Sequence, residues 1–437
     1  MDNKTPLTIF WFRRDLRLDD NAGLYHALKS GNPVLPLFIF DKEILDELED
    51  KDDARVTFIY QTIENLRQEL HKRGSSLLVI YDKAEHAWNT IIKDHTIAAV
   101  YTNHDYEPYA TKRDNAVKEK LAKHNIEFKT FKDQVIFEKD EVVKDDGKPY
   151  TVYTPYQRKW YSTLKPFYLK AYPTEKYLKN LIKTKNLHLP TLAEMEFEKS
   201  QMHFPDQQYK DVIGDYKEKR DFPAIKGTSH MGMHLRFGTV SIRELARTAH
   251  AQHEKTWLNE LIWREFYMMI LHHFPQTMDH AFRPEYDRIK WVNDEKQFKA
   301  WCEGKTGYPI VDAGMRELNA TGFMHNRVRM IAASFLSKDL LIDWRWGEHY
   351  FARKLLDYEM ASNVGGWQWA AGSGTDAAPY FRIFSPDAQT KKFDPELKYI
   401  KKWVPEYADF SKYPEPIIDH SFARDRCLKA FKAALAK

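Results

Sequence analysis

The sequence is almost free of cysteine and has no long apolar run. Only Cys302 and Cys427 occur among 437 residues, too few and too scattered for a disulfide framework or a cysteine-based zinc site. No apolar stretch approaches the roughly 18 residues that span a bilayer. The first residues, MDNKTPLTIFWFRRD, lack the pattern of a secretory signal. We therefore predict a cytoplasmic protein with no membrane partner.

Several common catalytic motifs are also missing. The sequence has no HExxH, P-loop, GxSxG or Cys/His cluster, which argues against metal, nucleoside-triphosphate and serine-nucleophile chemistry. Gly372, Gly374 and Ala377 spell G-x-G-x-x-A, but they follow a helical stretch rather than a strand, so we do not expect a dinucleotide site there. No heptad seam is present, which predicts a monomer. We expect no bound metal.

Neither sign of charge dominates, but aromatic residues are plentiful. The formal net charge is +4 with a pI of about 8.6, which is compatible with a local anion-binding face and does not establish one. There are 26 Phe, 24 Tyr and 12 Trp, or 14% of the chain. So many aromatic rings either fill a core or line a ligand site, and their positions must decide between the two.

Residues 6–131 alternate short apolar runs with amphipathic stretches. LTIFWF, VLPLFIF, LLVIYD and AAVYTN are strand-like, and ARVTFIYQTIENLRQELHKRG between the second and third has helical spacing with a stop at Gly74. Such alternation predicts a doubly wound parallel sheet with helices on both faces. The first strand continues into RRDLRLDDN, so no G-x-G-x-x-G follows it.

The rest of the chain divides into a connector and a helical region. Residues 132–200 contain several prolines and a lysine-rich stretch, and we predict a connector with short helices. From about residue 200 the apolar residues recur three and four apart, for example in WLNELIWREFYMMILHHF and MHNRVRMIAASFLSKDLL. The predicted domains are an α/β domain over 1–131, the connector over 132–200 and an all-α domain over 201–437.

Polar groups lie beside aromatic rings in three of the helical segments. Glu260 and Trp263 share one helix face, and Asn326 and Met330 share another at a spacing of four. Trp369 would lie about 200° around a helix from Trp367, so the two rings would face opposite sides. Each residue alone could belong to an ordinary helical core. Together they suit a flat ligand with polar edges, such as a nucleobase.

A short hydroxyl-rich turn offers a phosphate site. Gly227, Thr228 and Ser229 precede a predicted helix, where backbone N–H groups and hydroxyls can bind phosphate. The tripeptide by itself is weak support for such a site.

These segments, taken together, resemble one family. WFRRDLRLDDN, TPYQRKW, DFPAIKGTS, LRFGTVS, WLNELIWREFY, TGYPIVDAGMRELNATGFMHNRVRMIAASFLSKDLLIDWRWGEHYF and NVGGWQWAAGSGTDAAPYFRIFSP are similar to motifs of the photolyase/cryptochrome flavoproteins. Within that family they resemble the cyclobutane pyrimidine dimer (CPD) photolyases, and the resemblance covers nearly the whole chain. It implies a light-driven enzyme that repairs UV-damaged DNA, with an α/β antenna domain and a helical domain that binds FAD and DNA.

The resemblance also implies roles for particular residues. Positions that match flavin-binding residues are Tyr216, Thr228, Ser229, Arg329, Asp357, Glu359 and Asn363, with Asn363 facing flavin N5. Positions that match the electron relay are Trp367, Trp344 and Trp291. Positions that match the pocket for the flipped dimer are Glu260, Trp263, Asn326, Met330 and Trp369, and those that match DNA-phosphate contacts are Arg220, Arg264, Arg327 and Arg382. The reaction would flip the dimer out and split it by electron transfer from excited reduced FAD.

The chain departs from the family pattern at a few positions. Glu359 stands in the second place of an acidic pair by the flavin, and Val364 follows Asn363 where some members have a second Asn. His230 and Gly232 stand where phosphate-site neighbours are often Arg and Ser.

A second, light-harvesting chromophore is a further expectation. Glu107 matches a folate-contacting residue of some members, whereas Met278 replaces the Lys that those members have. The antenna would be methenyltetrahydrofolate or a deazaflavin, and the sequence does not choose between them.

Three other functions agree less well with these residues. A (6-4) photolyase would have histidines at the positions of Asn326 and Met330, and neither is His. A cryptochrome, a light receptor rather than an enzyme, would commonly lack a pocket tryptophan or Glu260, or carry a long C-terminal extension. A flavin-free nucleic-acid binder would leave Asn363 and the relay tryptophans without a role. A CPD photolyase agrees best with the residues present.

Overall fold

A computed structural model describes residues 6–409 and 411–436, and these group into two compact units. The unit that we call the sheet unit comprises Met1–Glu138, Thr163–Gln207 and Met231–Ala251. The helical unit comprises Lys139–Ser162, Gln208–His230 and Gln252–Lys437. The units are interleaved along the chain, whereas the sequence predicted consecutive domains. The predicted boundaries at residues 131 and 200 stay a prediction.

The sheet unit is built on five parallel strands. They are β1 (Leu7–Phe12), β2 (Val34–Asp41), β3 (Leu78–Asp82), β4 (Ile97–Asn103) and β5 (Glu127–Phe131), in the spatial order β3-β2-β1-β4-β5. In the central strand Phe10 pairs with Pro36 on one side and Tyr101 on the other. All six side chains of β1 are buried, as expected for a strand covered on both faces. The predicted doubly wound parallel fold is confirmed.

Strand β5 was not predicted. Its sequence, EFKTF, has no fully buried side chain and pairs only with β4 at the edge of the sheet. An edge strand needs less apolar surface than a central one, so the apolar run that identified the other strands is absent here.

The helices follow in chain order across both units. They are α1 (Ala22–Leu28), α2 (Lys42–Leu45), α3 (Ala54–His71), α4 (Ala84–Asp94), α5 (Pro108–Lys123), α6 (Tyr153–Thr163), α7 (Lys210–Ile213), α8 (Tyr216–Lys219), α9 (Met231–Phe237), α10 (Ile242–Ala251), α11 (Thr256–His273), α12 (Glu295–Cys302), α13 (Pro309–Thr321), α14 (Asn326–Ser334), α15 (Trp344–Lys354), α16 (Met360–Ala371), α17 (Pro386–Phe393), α18 (Lys398–Trp403) and α19 (His420–Leu435). Short 3-10 helices cover Pro166–Leu169, Thr174–Lys176, Leu178–Asn180, Pro275–Met278 and Pro284–Arg288, and one π-helical turn covers Phe335–Asp339.

Local signals account for several helix ends. The Ser241 hydroxyl accepts hydrogen bonds from the backbone N–H groups of Arg243 (3.2 Å) and Glu244 (3.3 Å), so it caps α10. Gly322 has φ 66° directly after α13, which is the left-handed conformation that ends a helix. The sequence also predicted that a helix would stop at Gly74, which has φ +69°.

A buried charge cluster ties distant segments of the sheet unit together. The Arg243 guanidinium lies 2.7 Å from carboxylate oxygens of both Asp20 and Asp133, and Arg17 lies 2.7 Å from Asp133. All four residues are less than 10% exposed. Burial raises the pKa of Asp133, but Arg17 and Arg243 outweigh it and hold the pKa below its ordinary value. Within the sheet unit, ion pairs therefore fix α10 to segments that lie 110 and 223 residues before Arg243.

The helical unit has one large apolar core. Its buried members come mainly from α13, α14, α15 and α16. Helix α16 begins at Met360, so Asn363, Gly365 and both tryptophans lie on one continuous helix. The helix assumed for the two tryptophans is therefore present.

Three further observations concern residues 6–409 and 411–436. No helix there is both long and apolar enough to cross a membrane. No group of three or more His, Cys, Asp or Glu side chains is placed to hold a metal ion. Cys302 and Cys427 are both free thiols.

Candidate active site

Helix α11 and the start of α6 form an aromatic wall in the helical unit. The rings of Trp263 and Tyr153 are stacked, with centroids 3.6 Å apart and planes 6° apart. Tyr267, one turn further along α11, has its ring centroid 5.6 Å from that of Trp263. Trp263 is half-buried and so keeps some exposed surface. A half-exposed ring held by a stacked neighbour is a rigid platform for a flat ligand.

Gly365 of α16 is needed for this wall to close. A Cβ atom at Gly365 would lie 2.9 Å from Tyr267 Cγ and closer still to two other ring carbons. At the adjacent Gly366, a Cβ atom would meet nothing within 4 Å. Gly365 therefore allows α16 to approach α11, whereas Gly366 is not required for that approach.

Glu260 lies one turn before Trp263 and pairs with Arg220. The Arg220 guanidinium donates to a Glu260 carboxylate oxygen, and each side chain is about one third exposed, at 35% and 34%. Burial raises the pKa of Glu260, and Arg220 opposes this effect. The side chain is thus held at the pocket by one charged partner, in surroundings that favour the protonated carboxyl more than water does.

Helix α14 brings Asn326, Arg327 and Met330 to the same region. Arg327 donates to Asp221 at 2.7 Å and reaches the Met330 sulfur at 3.7 Å. Asp221 directly follows Arg220, so consecutive residues pair with α11 and α14. The segment Arg220–Asp221 therefore contacts both α11 and α14, the two helices that carry these predicted dimer-pocket residues.

Trp369 and Trp367 occupy different environments on α16. Trp367 is 2% exposed, whereas Trp369 is half-buried and packs on the edge of the core. This agrees with the prediction that the two rings face different sides.

Arg329 and Asp357 form the predicted ion pair. Arg329 donates to Asp357 Oδ2 at 2.8 Å and to the Met324 carbonyl at 2.7 Å. The other carboxylate oxygen, Asp357 Oδ1, is buried and has no hydrogen-bond partner among the described residues. A buried carboxylate oxygen without a donor indicates that a ligand donor belongs there.

His230 lies beside this ion pair. Its ring centroid is 4.1 Å from that of Phe323, and its backbone φ is 53°. Burial lowers the pKa of His230, with Asp357 opposing and Arg329 reinforcing that effect. The imidazole is therefore neutral around pH 7 and can donate or accept a hydrogen bond.

Asn363 is oriented by Glu348. Its amide nitrogen donates to the Glu348 carboxylate at 2.9 Å and to the Glu348 carbonyl at 3.1 Å. Both donor hydrogens are thus directed to α15, which leaves the amide oxygen to meet a ligand. Glu348 is 6% exposed, and burial raises its pKa while the Asn363 hydrogen bond opposes that shift.

Glu359 and Arg264 form a buried ion pair. The carboxylate and guanidinium are 2.9 Å apart, with side chains 7% and 10% exposed. Glu359 also stands at the N-cap of α16. Arg264 was predicted to contact DNA phosphate, and that role stays a prediction, since its guanidinium is directed into the protein.

The predicted phosphate-binding residues lie around α8 and α11. Ser229 Oγ accepts a hydrogen bond from Trp257 Nε1 at 3.3 Å, and Thr228 Oγ1 lies 3.4 Å from His230 Nε2. A Cβ atom at Gly227 would lie 2.6 Å from the Lys219 carbonyl oxygen, so only glycine fits this turn. The ring of Tyr216 lies under the Arg220 guanidinium, 5.9 Å from centroid to carbon.

The three predicted relay tryptophans contact one core cluster. Trp367 and Trp344 are members of it, and Trp291, which is half-buried, packs against it. The Trp367 ring also needs a glycine: a Cβ atom at Gly347 would lie 2.5 Å from Trp367 Cζ3. Gly347 is on the first turn of α15, three residues after Trp344. Trp344 and Trp367 are each 2% exposed and Trp291 is half-buried, so Trp291 is the most exposed of the three. Their role as an electron relay stays a prediction.

Arg382 belongs to the helical unit and Glu107 to the sheet unit. Arg382 is exposed on the segment before α17, with its guanidinium 5.6 Å from the Phe384 ring. Glu107 belongs to the sheet unit, where it pairs with Arg236 and lies 3.2 Å from Arg14. Its predicted contact with an antenna chromophore stays a prediction.

Sequence reasoning missed Glu348, Tyr153 and Asp221. Glu348 had a detectable signal, because Trp344, Gly347, Glu348 and Phe351 are the buried residues of α15 and lie at helical spacing. A carboxylate within such an apolar stripe needs a partner. Tyr153 begins α6 and Asp221 follows α8. Each lies more than 100 residues from its partner, Trp263 or Arg327, so no helical periodicity links them.

Comparison with known proteins decides what this site belongs to. Residues 8–176 match the family model for DNA photolyase, and residues 257–412 match the FAD binding domain of DNA photolyase. The deoxyribodipyrimidine photo-lyase of a Synechococcus strain is 38% identical, over 98% of each chain. The chain belongs to the DNA photolyase family. The site residues on α11, α14, α15 and α16 lie within the matched FAD-binding domain, and the prediction of FAD as cofactor is confirmed.

Solved structures of the photolyase family share the fold over nearly the whole chain. The class III photolyase from Agrobacterium tumefaciens superposes with a TM-score of 0.88 and 34% identity, covering 99% of this chain and 98% of that one. A Sulfolobus tokodaii photolyase with two FAD molecules gives 0.84 and 34%, covering 98% and 100%. A Synechocystis cryptochrome gives 0.84 at 25% identity, covering 98% and 100%. The photolyase fold predicted from the sequence is therefore confirmed.

Proposed function

We propose that this chain is a deoxyribodipyrimidine photo-lyase that repairs cyclobutane pyrimidine dimers in UV-damaged DNA under blue light. The observation that carries the proposal is the arrangement of Glu260 and Trp263 on one face of α11, beside Asn326 and Met330 of α14. The similarity to the Synechococcus photo-lyase, at 38% identity over the full chain, supports the same activity.

The residues around α14 and α16 fit FAD. The unpartnered Oδ1 of Asp357 can accept a hydrogen bond from a ligand. Glu348 fixes the Asn363 amide, so its oxygen can do the same. We infer that Tyr216, Thr228 and Ser229 hold the phosphates, and that Arg329, Asp357, Glu359 and Asn363 surround the ring system. When bound, reduced FAD supplies a light-driven electron, and the electron returns after the cyclobutane bonds split.

The dimer pocket would work by shape and by electrostatics. A dimer stacks and pairs poorly, which lowers the free energy needed to extrude it from the duplex. Trp263, fixed by its stack on Tyr153, would pack against one pyrimidine ring and Trp369 against the other. Glu260, in its protonated form, would donate a hydrogen bond to a pyrimidine edge and so stabilise negative charge as it develops there, without reorganisation. Asn326 and Met330 would complete the wall from α14.

The tryptophan series would restore the reduced flavin. We infer that Trp367, Trp344 and Trp291 carry an electron inward from solvent. Trp291 has the exposure that an external reductant requires, and Trp367 has the burial that a position near the cofactor requires. Repair by flavin that is already reduced would not depend on these three rings.

DNA contact and assembly complete the proposal. Arg220, Arg327 and Arg382 would meet backbone phosphates, which carry most of the salt-dependent affinity. Arg220 and Arg327 would exchange their present carboxylate partners for phosphates. Arg264 would do so only after leaving Glu359. We propose a monomer acting in the cytoplasm, with no membrane partner, and an antenna chromophore near Glu107.

The function is tested with purified protein reduced under anaerobic conditions and an oligonucleotide that carries one thymine dimer. Blue light is applied, and intact thymines are quantified by chromatography against a dark control and an undamaged oligonucleotide. We expect light-dependent restoration of both thymines. If the protein retains FAD yet restores none, the proposal is wrong, and a photoreceptor like the Synechocystis cryptochrome becomes the better description.

A further inference from the structure

A lysine is buried in the helical unit, outside every site described above. Lys338 is 1% exposed and lies in the π-helical turn Phe335–Asp339. Lysine is rarely buried, because removing an ammonium from water costs several kcal/mol unless it is well paired. Single π-helical turns within helical segments frequently mark functional positions. The position therefore needs an explanation that core packing does not supply.

The ammonium of Lys338 has one hydrogen-bond acceptor among the described residues. It donates to the backbone carbonyl of Arg382 at 2.8 Å, 44 residues along the chain. Such a charge-assisted bond is roughly twice as strong as a neutral one. The buried ammonium is thus directed at the main chain of a residue whose own guanidinium is exposed.

The segment around Arg382 is fixed on one side and exposed on the other. Tyr380 and Ile383 pack against the apolar cluster that contains Phe431 of α19, with the Tyr380 and Phe431 rings 5.8 Å apart and 15° from parallel. Between them, Phe381 is 63% exposed and Arg382 is exposed as well. The fixed segment therefore presents two consecutive side chains to solvent on its opposite side.

We propose that Lys338 is a positioning residue for DNA binding, which holds the backbone of Arg382 so that the exposed guanidinium is ready to meet a phosphate. The inference rests on the proposed function. Its physical basis is preorganisation: a side chain that starts from a fixed backbone loses less conformational freedom on binding.

The charged groups around Lys338 bear on a pH dependence. Burial lowers the pKa of Lys338 to about 8, with Cys427 and Asp339 opposing and Arg382 reinforcing that effect. Asp339 is itself paired with His420 at 2.5 Å, and its carbonyl accepts from Arg426 at 2.7 Å. Burial raises the pKa of the Cys427 thiol to about 12, so that thiol stays neutral throughout the range of interest.

The sign of the effect follows from these groups. Above pH 8 the ammonium loses its proton, and the bond to the Arg382 carbonyl becomes a weaker neutral one. The negative potential of bound DNA favours the charged form, so the complex should take up a proton there. Affinity for DNA should therefore fall as the pH rises from 7.5 to 9.5.

The test is a set of variants of the FAD-loaded protein: Lys338→Met, Arg382→Ala, the double variant, and Lys299→Met. The last is a charge-matched control, because Lys299 is 76% exposed on α12. Affinity for a fluorescent dimer-containing oligonucleotide is measured by anisotropy at several salt concentrations and at pH 7.5 and 9.5. Hydrogen exchange of residues 376–386 is measured without DNA at pH 7.5.

We expect Lys338→Met to weaken binding about three- to tenfold at pH 7.5 and to speed exchange of residues 376–386. It should have little effect in the Arg382→Ala background, and it should remove most of the pH dependence. Lys299→Met should leave exchange unchanged. Equal losses in both backgrounds, or unchanged exchange, would overturn the inference.

Two outcomes keep the inference separable from the proposed function and from folding defects. Protein that binds the oligonucleotide with the expected pattern yet repairs nothing would refute the function and leave the role of Lys338 intact. If Lys338→Met fails to fold, the wild-type and Arg382→Ala pH profiles still decide. A pH dependence that persists undiminished in Arg382→Ala would contradict the inference.

Discussion

The paired glycines of α16 offer a controlled test of how the pocket wall is built. Gly365→Ala places a Cβ atom within 2.9 Å of Tyr267 Cγ, and nearer to two other ring carbons, whereas Gly366→Ala meets nothing within 4 Å. Carbon atoms pack at about 3.5–4.0 Å, so the ring must retreat by roughly 1 Å or more. Tyr267 adjoins Trp263, and the displacement should reach the predicted dimer pocket.

The magnitudes can be set against each other. Alanine gains about 1 kcal/mol over glycine in a helix interior, and overpacking a core costs about 1–3 kcal/mol. Because both substitutions share the helix gain, the difference between them isolates the steric cost. We expect Gly366→Ala to raise the free energy of unfolding by up to about 1 kcal/mol. Gly365→Ala should fall about 1–3 kcal/mol below it.

Urea denaturation of the two variants, followed by tryptophan fluorescence, measures this difference. Flavin content and affinity for a dimer-containing oligonucleotide are measured on the same samples. We expect Gly365→Ala to weaken dimer binding and Gly366→Ala to preserve it. Equal stabilities, or equal affinities, would refute the assignment of Gly365 as the close contact of α16 and α11.

Three further results are expected. Trp291→Phe should abolish photoreduction of oxidised flavin while sparing repair by chemically reduced protein, with the half-buried Trp403→Phe as control; lost repair in the reduced sample would contradict the relay. Glu260→Ala should lower repair yield per absorbed photon by about tenfold or more and dimer affinity by less, so an unchanged yield would remove its electrostatic role. Burial lowers the pKa of His325 from 6.5 to about 4. Between these two pH values the native protein therefore binds fewer protons than the unfolded chain. The free energy of unfolding should rise there with pH, by about 3 kcal/mol in all. His325→Asn keeps an N-cap for α14 and should flatten that rise, measured as urea midpoints across this pH range. His253→Asn, at an exposed site, is the control. If the midpoints of His325→Asn rose with pH as steeply as those of His253→Asn, this reasoning would be refuted.

Much of the fold could be predicted because local patterns report burial. Strand β1 is an unbroken run of apolar residues, all six buried, and such runs are visible in a sequence. Strand β5 is half-exposed and carries no such run, so it was missed. Helix α16 contains two successive glycines, which weaken a helix and obscure its extent in the sequence. Here the close contact with Tyr267 compensates for them.

The candidate site was predictable where residue types repeat a known motif, and less so where contacts are distant. Trp263 and Asn363 were identified from the sequence, but their partners Tyr153 and Glu348 were not. Tyr153 lies 110 positions before Trp263, and no periodicity relates them. The Arg264–Glu359 pair likewise depends on two helices meeting. Ion pairs of this kind are set by packing, which a single sequence does not display.

The buried charge cluster of the sheet unit has a consequence for synthesis of the chain. Asp133 must wait for Arg243, which follows 110 residues later, before its charge is fully compensated. At a translation rate of about 5–20 residues per second, that interval is on the order of 6–20 seconds. During this time Arg17 is the only arginine of the cluster available to the Asp133 carboxylate, and the unit can reach its final stability only when the ribosome has passed α10. Ribosome pausing between these two codons would therefore lengthen the period in which the growing chain is open to chaperones and proteases.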